Sequence, residues 1–114
     1  MRSRRFGATA VGRVEATKSF RAVTFIDQQS TAQAESQAMT RCNQEASDCK
    51  VVARFSGSGK CVFVAGGTTV IREPGRVGHR TGVKTAGTEA EALQNCRSDF
   101  QECRVFHTRC NSLR

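Results

Sequence analysis

The chain has no tryptophan, no tyrosine, a single proline (Pro74), two histidines (His79 and His107) and no apolar run longer than Cys61 to Ala65. Each shortage excludes something. Without about 18 consecutive apolar residues there is no membrane-spanning helix. Without Trp or Tyr, binding of single-stranded nucleic acid or carbohydrate by ring stacking would fall to the seven Phe, which the core is expected to need. Structural zinc wants closely paired ligands, whereas the close cysteine pairs here are C-x6-C and neither histidine fits that grammar, so no metal or cofactor is expected. His79 reads as a surface loop residue and His107 as a strand residue.

Catalytic signatures are equally scarce. No G-x-S-x-G nucleophile turn occurs. Glu89 and Glu91 fall on different sides of a helix, and Asp48 and Glu102 read as turn residues. Ser56-Gly57-Ser58-Gly59-Lys60 imitates the end of a phosphate-binding loop, but Arg54 and Cys61 occupy positions where that motif needs Gly and Ser or Thr, and a strand follows it. It reads as a flexible connector, and the chain reads as no enzyme.

What is present is 114 residues with 18 Lys and Arg against 10 Asp and Glu, a formal charge of +8. That length suits one small domain, burying roughly 65% of the unfolded chain's surface. Six cysteines (Cys42, Cys49, Cys61, Cys96, Cys103, Cys110) are an even, dense set, the pattern of an oxidising compartment. The start, Met1-Arg2-Ser3-Arg4-Arg5, has the charge of a signal peptide's first region without the apolar segment that should follow. The expectation is a secreted or periplasmic domain whose signal peptide has been removed, with residues 1–5 left as a basic disordered arm.

Sliding the sequence by 54 positions superposes Thr31 on Thr85, Glu35 on Glu89, Ala38 on Ala92, Cys42 on Cys96, Cys49 on Cys103 and Val51 on Val105, and upstream Gly12 on Gly66 and Val23 on Val77. The chain therefore reads as two tandem β-β-α-β repeats, 6–60 and 61–114. Helices are predicted over Ala32 to Asn43 and Ala86 to Arg97, started by Ser30 or Thr31 and by Thr85. Strands are predicted at Phe6 to Val11, Phe20 to Ile26, Lys50 to Phe55, Cys61 to Ala65, Thr68 to Arg72 and Arg104 to Arg109, with another after the Pro74-Gly75 turn. The fold class is α+β, a mainly antiparallel sheet with two helices on one face and three disulfides. Fifteen connectivities are possible. Helix ends lying near following strands favour Cys42 with Cys49 and Cys96 with Cys103, leaving Cys61 for Cys110.

The run Phe6-Gly7-Ala8-Thr9-Ala10, the alanine helices ending at Cys42 and Cys96, Asp48-Cys49-Lys50-Val51-Val52, Cys61-Val62-Phe63-Val64-Ala65 and Cys103-Arg104-Val105 resemble the bacterial family called domain of unknown function 4189. The resemblance implies a secreted or periplasmic setting, and some relatives are immunity proteins that neutralise toxins. Members commonly carry Trp or Tyr in their strands, which this chain does not.

The remaining surface clue is charge. Arg72, Arg76, Arg80 and Lys84 recur every fourth residue across a hairpin opposed by Glu73 alone, and extended arms can bring them to one face. The partner expected is another protein, with an anionic polymer as the alternative and nucleic acid as its less favoured form. The sequence does not specify an oligomeric state.

Overall fold

The computed structural model describes residues 5–17 and 19–113, without the side chains of 70–73 and 76–80. Strands β1 (Phe6–Val14) and β2 (Ser19–Gln28) lead to α1 (Thr31–Glu45) and β3 (Ser47–Ser56). Then β4 (Cys61–Glu73) and β5 (Arg76–Ala86) lead to α2 (Glu89–Asp99) and β6 (Gln101–Cys110). The order β-β-α-β thus occurs twice. The strands form two three-stranded antiparallel sheets, β2-β1-β3 and β5-β4-β6, instead of one continuous sheet, because β3 turns back to lie beside β1. The chain divides into two compact units, one running to Val62 and resuming at Arg109, the other spanning Phe63–Thr108.

In the first unit β1 is a central strand of small residues, buried from Gly7 to Gly12. Ala10 packs on Ala38 and Cys42 of α1, and Val23, Phe25 and Met39 close the edges of that cluster. In the second unit Ala65 takes the place of Ala10, against Ala92 and Cys96, with Phe63, Leu93 and Phe100 around it. Small side chains let each helix approach its sheet closely, as the alanine stripes predict.

The same choice leaves little apolar area to bury. Among the described residues the largest fully buried side chains are Val64, Thr9, Cys42 and Cys96. Six of the seven Phe are half-buried, with Phe25, Phe63 and Phe100 packed against the core clusters as expected, and Phe106 is exposed. A fully buried Val or Leu contributes about 1.5–3 kcal/mol. With few such groups, covalent ties carry more of the stability.

Those ties are Cys42–Cys49, Cys96–Cys103 and Cys61–Cys110, the pairing expected from the sequence. The first two sit in matching corners. Each helix ends at a cap residue, Ala46 or Phe100, whose N–H donates to the carbonyl of Cys42 or Cys96. Two residues later Asp48 and Glu102 both adopt φ 53°, turning the chain so that the next cysteine faces back to the helix. A Cβ on Gly12 would lie 2.5 Å from Cys49 Sγ, and one on Gly67 would lie 2.7 Å from both Cys96 and Cys103 Sγ. Only glycine lets these strands pass beneath the disulfides.

This geometry adjusts the alignment read from the sequence. The glycine equivalent to Gly12 is Gly67, one position beyond the expected Gly66. Val23 stands opposite Ala10, whereas Val77 stands opposite Arg72, far along the other hairpin. β4 continues through Gly66 and Gly67, where two strands were expected, because this stretch must run straight under the corner. His79 lies in β5 and not in a loop.

One helix start is as expected and the other differs. Ser30 caps α1, its oxygen accepting from the Gln33 N–H at 3.1 Å. α2 is capped by Thr88, not Thr85, since Thr85 and Ala86 remain in the β5 ladder opposite Val64 and Phe63. Thr88 and Glu91 bind each other across the first turn: the Glu91 N–H donates to Thr88 Oγ1, whose hydroxyl donates to Glu91 Oε1 at 2.9 Å.

Candidate functional site

The two hairpins differ most in how far they run past the helix corner. Beyond Gly12, paired with Arg21, the β1–β2 ladder adds only Arg13–Phe20 and Val14–Ser19. Beyond Gly67, paired with Gly82, the β4–β5 ladder adds six pairs, from Thr68–Thr81 to Glu73–Arg76. At about 3.4 Å per residue that is roughly 20 Å of two-stranded ribbon. The turn is Pro74-Gly75, as predicted: proline fixes one φ and Gly75 takes φ 77°.

The ribbon carries the basic residues singled out in the sequence. Arg76 stands in register with Glu73, Arg80 with Thr69, and Lys84 with Ala65, three positions of one parity. Arg72 pairs with Val77, the other parity, because a four-residue spacing counted through a turn does not preserve the alternation of a ladder. The side chains of Arg72, Arg76 and Arg80 lie outside the described residues. Lys84 is described: its Nζ is 2.7 Å from Asp99 Oδ2 at the end of α2, so its charge is already opposed.

Two polar features of the first unit escaped the sequence reading. The first is a groove of about 280 Å³ between α1 and β2, lined by Phe25, Ser36, Gln37, Thr40, Arg41 and Gln44. Arg41 is 3.5 Å from Glu45, and Glu45 also binds Arg21 at 2.6 Å, which holds its carboxyl below the usual range. The groove therefore offers mostly neutral hydrogen-bonding groups. Its helical spacing (36, 37, 40, 41, 44) was visible, but a polar helix face reads as ordinary solvated surface.

The second feature is a clasp around Asn111, which is 2% exposed. Asn111 Oδ1 accepts from the Asp27 N–H, its Nδ2 donates to the carbonyls of Arg5 and Gly57, and its N–H donates to the carbonyl of Lys60. Asp27, at φ 59°, accepts from the N–H and hydroxyl of Ser112. Those bonds, with Arg5 Nη1 at 3.3 Å, hold the Asp27 carboxyl below its ordinary value. Two expectations change here. Ser56 to Lys60 is a turn bound to Arg5, Asn111 and Ser112, not a loose connector, and Arg5 belongs to the fold and not to an arm. Arg2 and Arg4 lie outside the described residues.

All six cysteines are in disulfides, so no thiol is available as a nucleophile or ligand. Among the described residues no three of His, Cys, Asp and Glu gather as metal ligands, and no helix is long and apolar enough to cross a membrane.

The family described as Domain of unknown function (DUF4189) matches residues 6–110, and the chain belongs to it. No curated protein and no solved structure matches the chain.

Proposed function

We propose that this member of the DUF4189 family is an exported, non-enzymatic domain of the inhibitor or immunity type that binds another protein. The observation that carries the reading is the β4–β5 ribbon, six ladder pairs longer than the helix corner requires, in a unit whose corner is tied by Cys96–Cys103. A structural hairpin needs only the length its helix covers, as β1–β2 illustrates. Extra ribbon rooted in a crosslinked corner is surface that can be given to a partner at little ordering cost. Three disulfides suit an oxidising compartment, which supports export.

A second reading draws on charge. The ribbon from Thr68 to Thr81 holds Arg72, Arg76 and Arg80 against Glu73, so association with an anionic envelope polymer or nucleic acid would be electrostatic. Salt separates the two. Oxidised protein is immobilised, exposed to envelope and secreted extracts, and washed at low salt and then near 1 M, where the Debye length falls to about 3 Å. One protein retained in stoichiometric amount through the wash is the expected result. Polymer captured at low salt and released at high salt favours the second reading.

A further inference from the structure

We propose that the outer edge of β5, from Arg76 to Lys84, takes up an extended acidic peptide segment as an added strand, with carboxylates four residues apart. The inference rests on the protein-binding reading and names its partner's chemistry.

In the order β5-β4-β6, β5 is terminal, and its eleven residues pair with β4 on one side. A terminal strand leaves alternate N–H and C=O groups directed away from its sheet, which an incoming polypeptide strand matches group for group. The described contacts of α2 reach this hairpin at Thr85, where Asn95 donates to the carbonyl, at Lys84 through Asp99, and at Gly82 against the Phe100 ring.

The charge along the edge selects the occupant. Arg76 and Arg80 stand four apart in β5, which contains no acidic residue, and Lys84, at the next such position, is already opposed by Asp99. In an added antiparallel strand the residues directly opposite them are also four apart, and opposite charges in such pairs attract. A second copy of the chain is a poor occupant, since β5 against β5 centred on Arg80 sets Arg80 against Arg80 and Arg76 against Lys84. A nucleic acid backbone would satisfy the cations and some N–H groups but supplies no donor row for the strand's carbonyls.

The test uses the full oxidised protein, labelled with ¹⁵N, and three nine-residue Thr- and Val-rich peptides: one with Glu at positions 3 and 7, one with Glu at 3 and 6, and the first N-methylated at alternate residues. The first peptide is expected to shift and protect amides within Arg76 to Lys84. Spacing the Glu three apart removes one cross-strand charge pair and should weaken binding about twofold to fivefold, and combining Arg76→Gln with Arg80→Gln removes two and should weaken it about fivefold to tenfold. N-methylation should abolish binding at this edge. Equal binding of all three peptides, shifts confined to other strands, preference for an oligothymidylate of equal charge, or dimerisation through β5 would each overturn the proposal. A partner retained in the salt-washed capture while the peptides fail would discard this inference and leave the protein-binding reading standing.

Discussion

The two units solve one structural problem identically and a second differently. Both bring a short alanine-lined helix onto a sheet, close it with a left-handed residue and a seven-residue disulfide link, and pass a glycine beneath the sulfurs. They then diverge. The first unit lengthens its helix to fifteen residues and keeps a short hairpin, while the second has an eleven-residue helix and the long ribbon. The corner is where small side chains and a crosslink leave no freedom. The far end of the hairpin has no such constraint, and there the units are free to differ.

The comparison breaks most severely through the disulfides. In the chain-entropy model the two corner links contribute about 2.5 kcal/mol each, and Cys61–Cys110, closing a far longer loop, about 4 kcal/mol. Replacing Cys61 and Cys110 by Ala should lower stability more than replacing either corner pair, measured by urea unfolding of each double variant. The two corner variants should match within about 1 kcal/mol if the corners are equivalent. Loss of Cys96–Cys103 costing much more than loss of Cys42–Cys49 would show that the second unit leans harder on its crosslink.

Substitutions that touch one side chain sharpen the same question. Gly12→Ala and Gly67→Ala each force a Cβ against sulfur, and overpacking of this kind costs about 1–3 kcal/mol. Similar losses in midpoint would confirm Gly67 as the true counterpart of Gly12, and a harmless Gly67→Ala would refute it. Asn111→Ala has no counterpart in the second unit. It leaves the Asp27 N–H without its acceptor and takes one of two donors from the Arg5 and Gly57 carbonyls, at a cost of about 1–3 kcal/mol, and the loss should appear as faster amide exchange around Asp27 and Gly57. Ser30→Ala and Thr88→Ala should each cost about 1 kcal/mol, both helices being capped by one hydroxyl.

How legible this was depended on what each signal measures. The C-x6-C spacing and the alanine stripes are short-range patterns fixed by the corner, so the helix faces, the disulfide pairing and the α+β class could be read from them. Gly66-Gly67 reads as a break because glycine signals both turns and close approach, and only the sulfur positions distinguish these uses. Thr85 resembled Thr31 in alignment, but Gly87 and the bonded Thr88-Glu91 pair outweighed that likeness. The clasp joins Arg5, Asp27 and Asn111 across as many as 106 residues, and no local pattern reports such a meeting. The basic residues were visible, yet their register was not, since the turn between them resets the count.

The smallest effect expected is also the one that isolates the clasp from everything the units share. Hydrogen bonds from Ser112, joined by Arg5, keep the Asp27 carboxyl below the 3.8 it would show in an unfolded chain. A carboxyl whose folded value is depressed stabilises the fold fully above its unfolded value, and that contribution fades as pH falls through the folded one. The protein should therefore lose stability on acidification below about pH 4, and Asp27→Asn should flatten that acid limb while lowering stability at neutral pH. Because Asp27 is partly exposed, the change should be modest and weaken in salt. Glu45, held low by Arg21, adds to the same limb, so Glu45→Gln is the necessary control. If amide exchange near Ser112 rises with acid in the wild type but not in Asp27→Asn, while exchange in α2 follows the same course in both, the clasp is the acid-sensitive element. If α2 and the clasp respond together in both proteins, the acid response belongs to the whole fold and the clasp adds nothing separable to it.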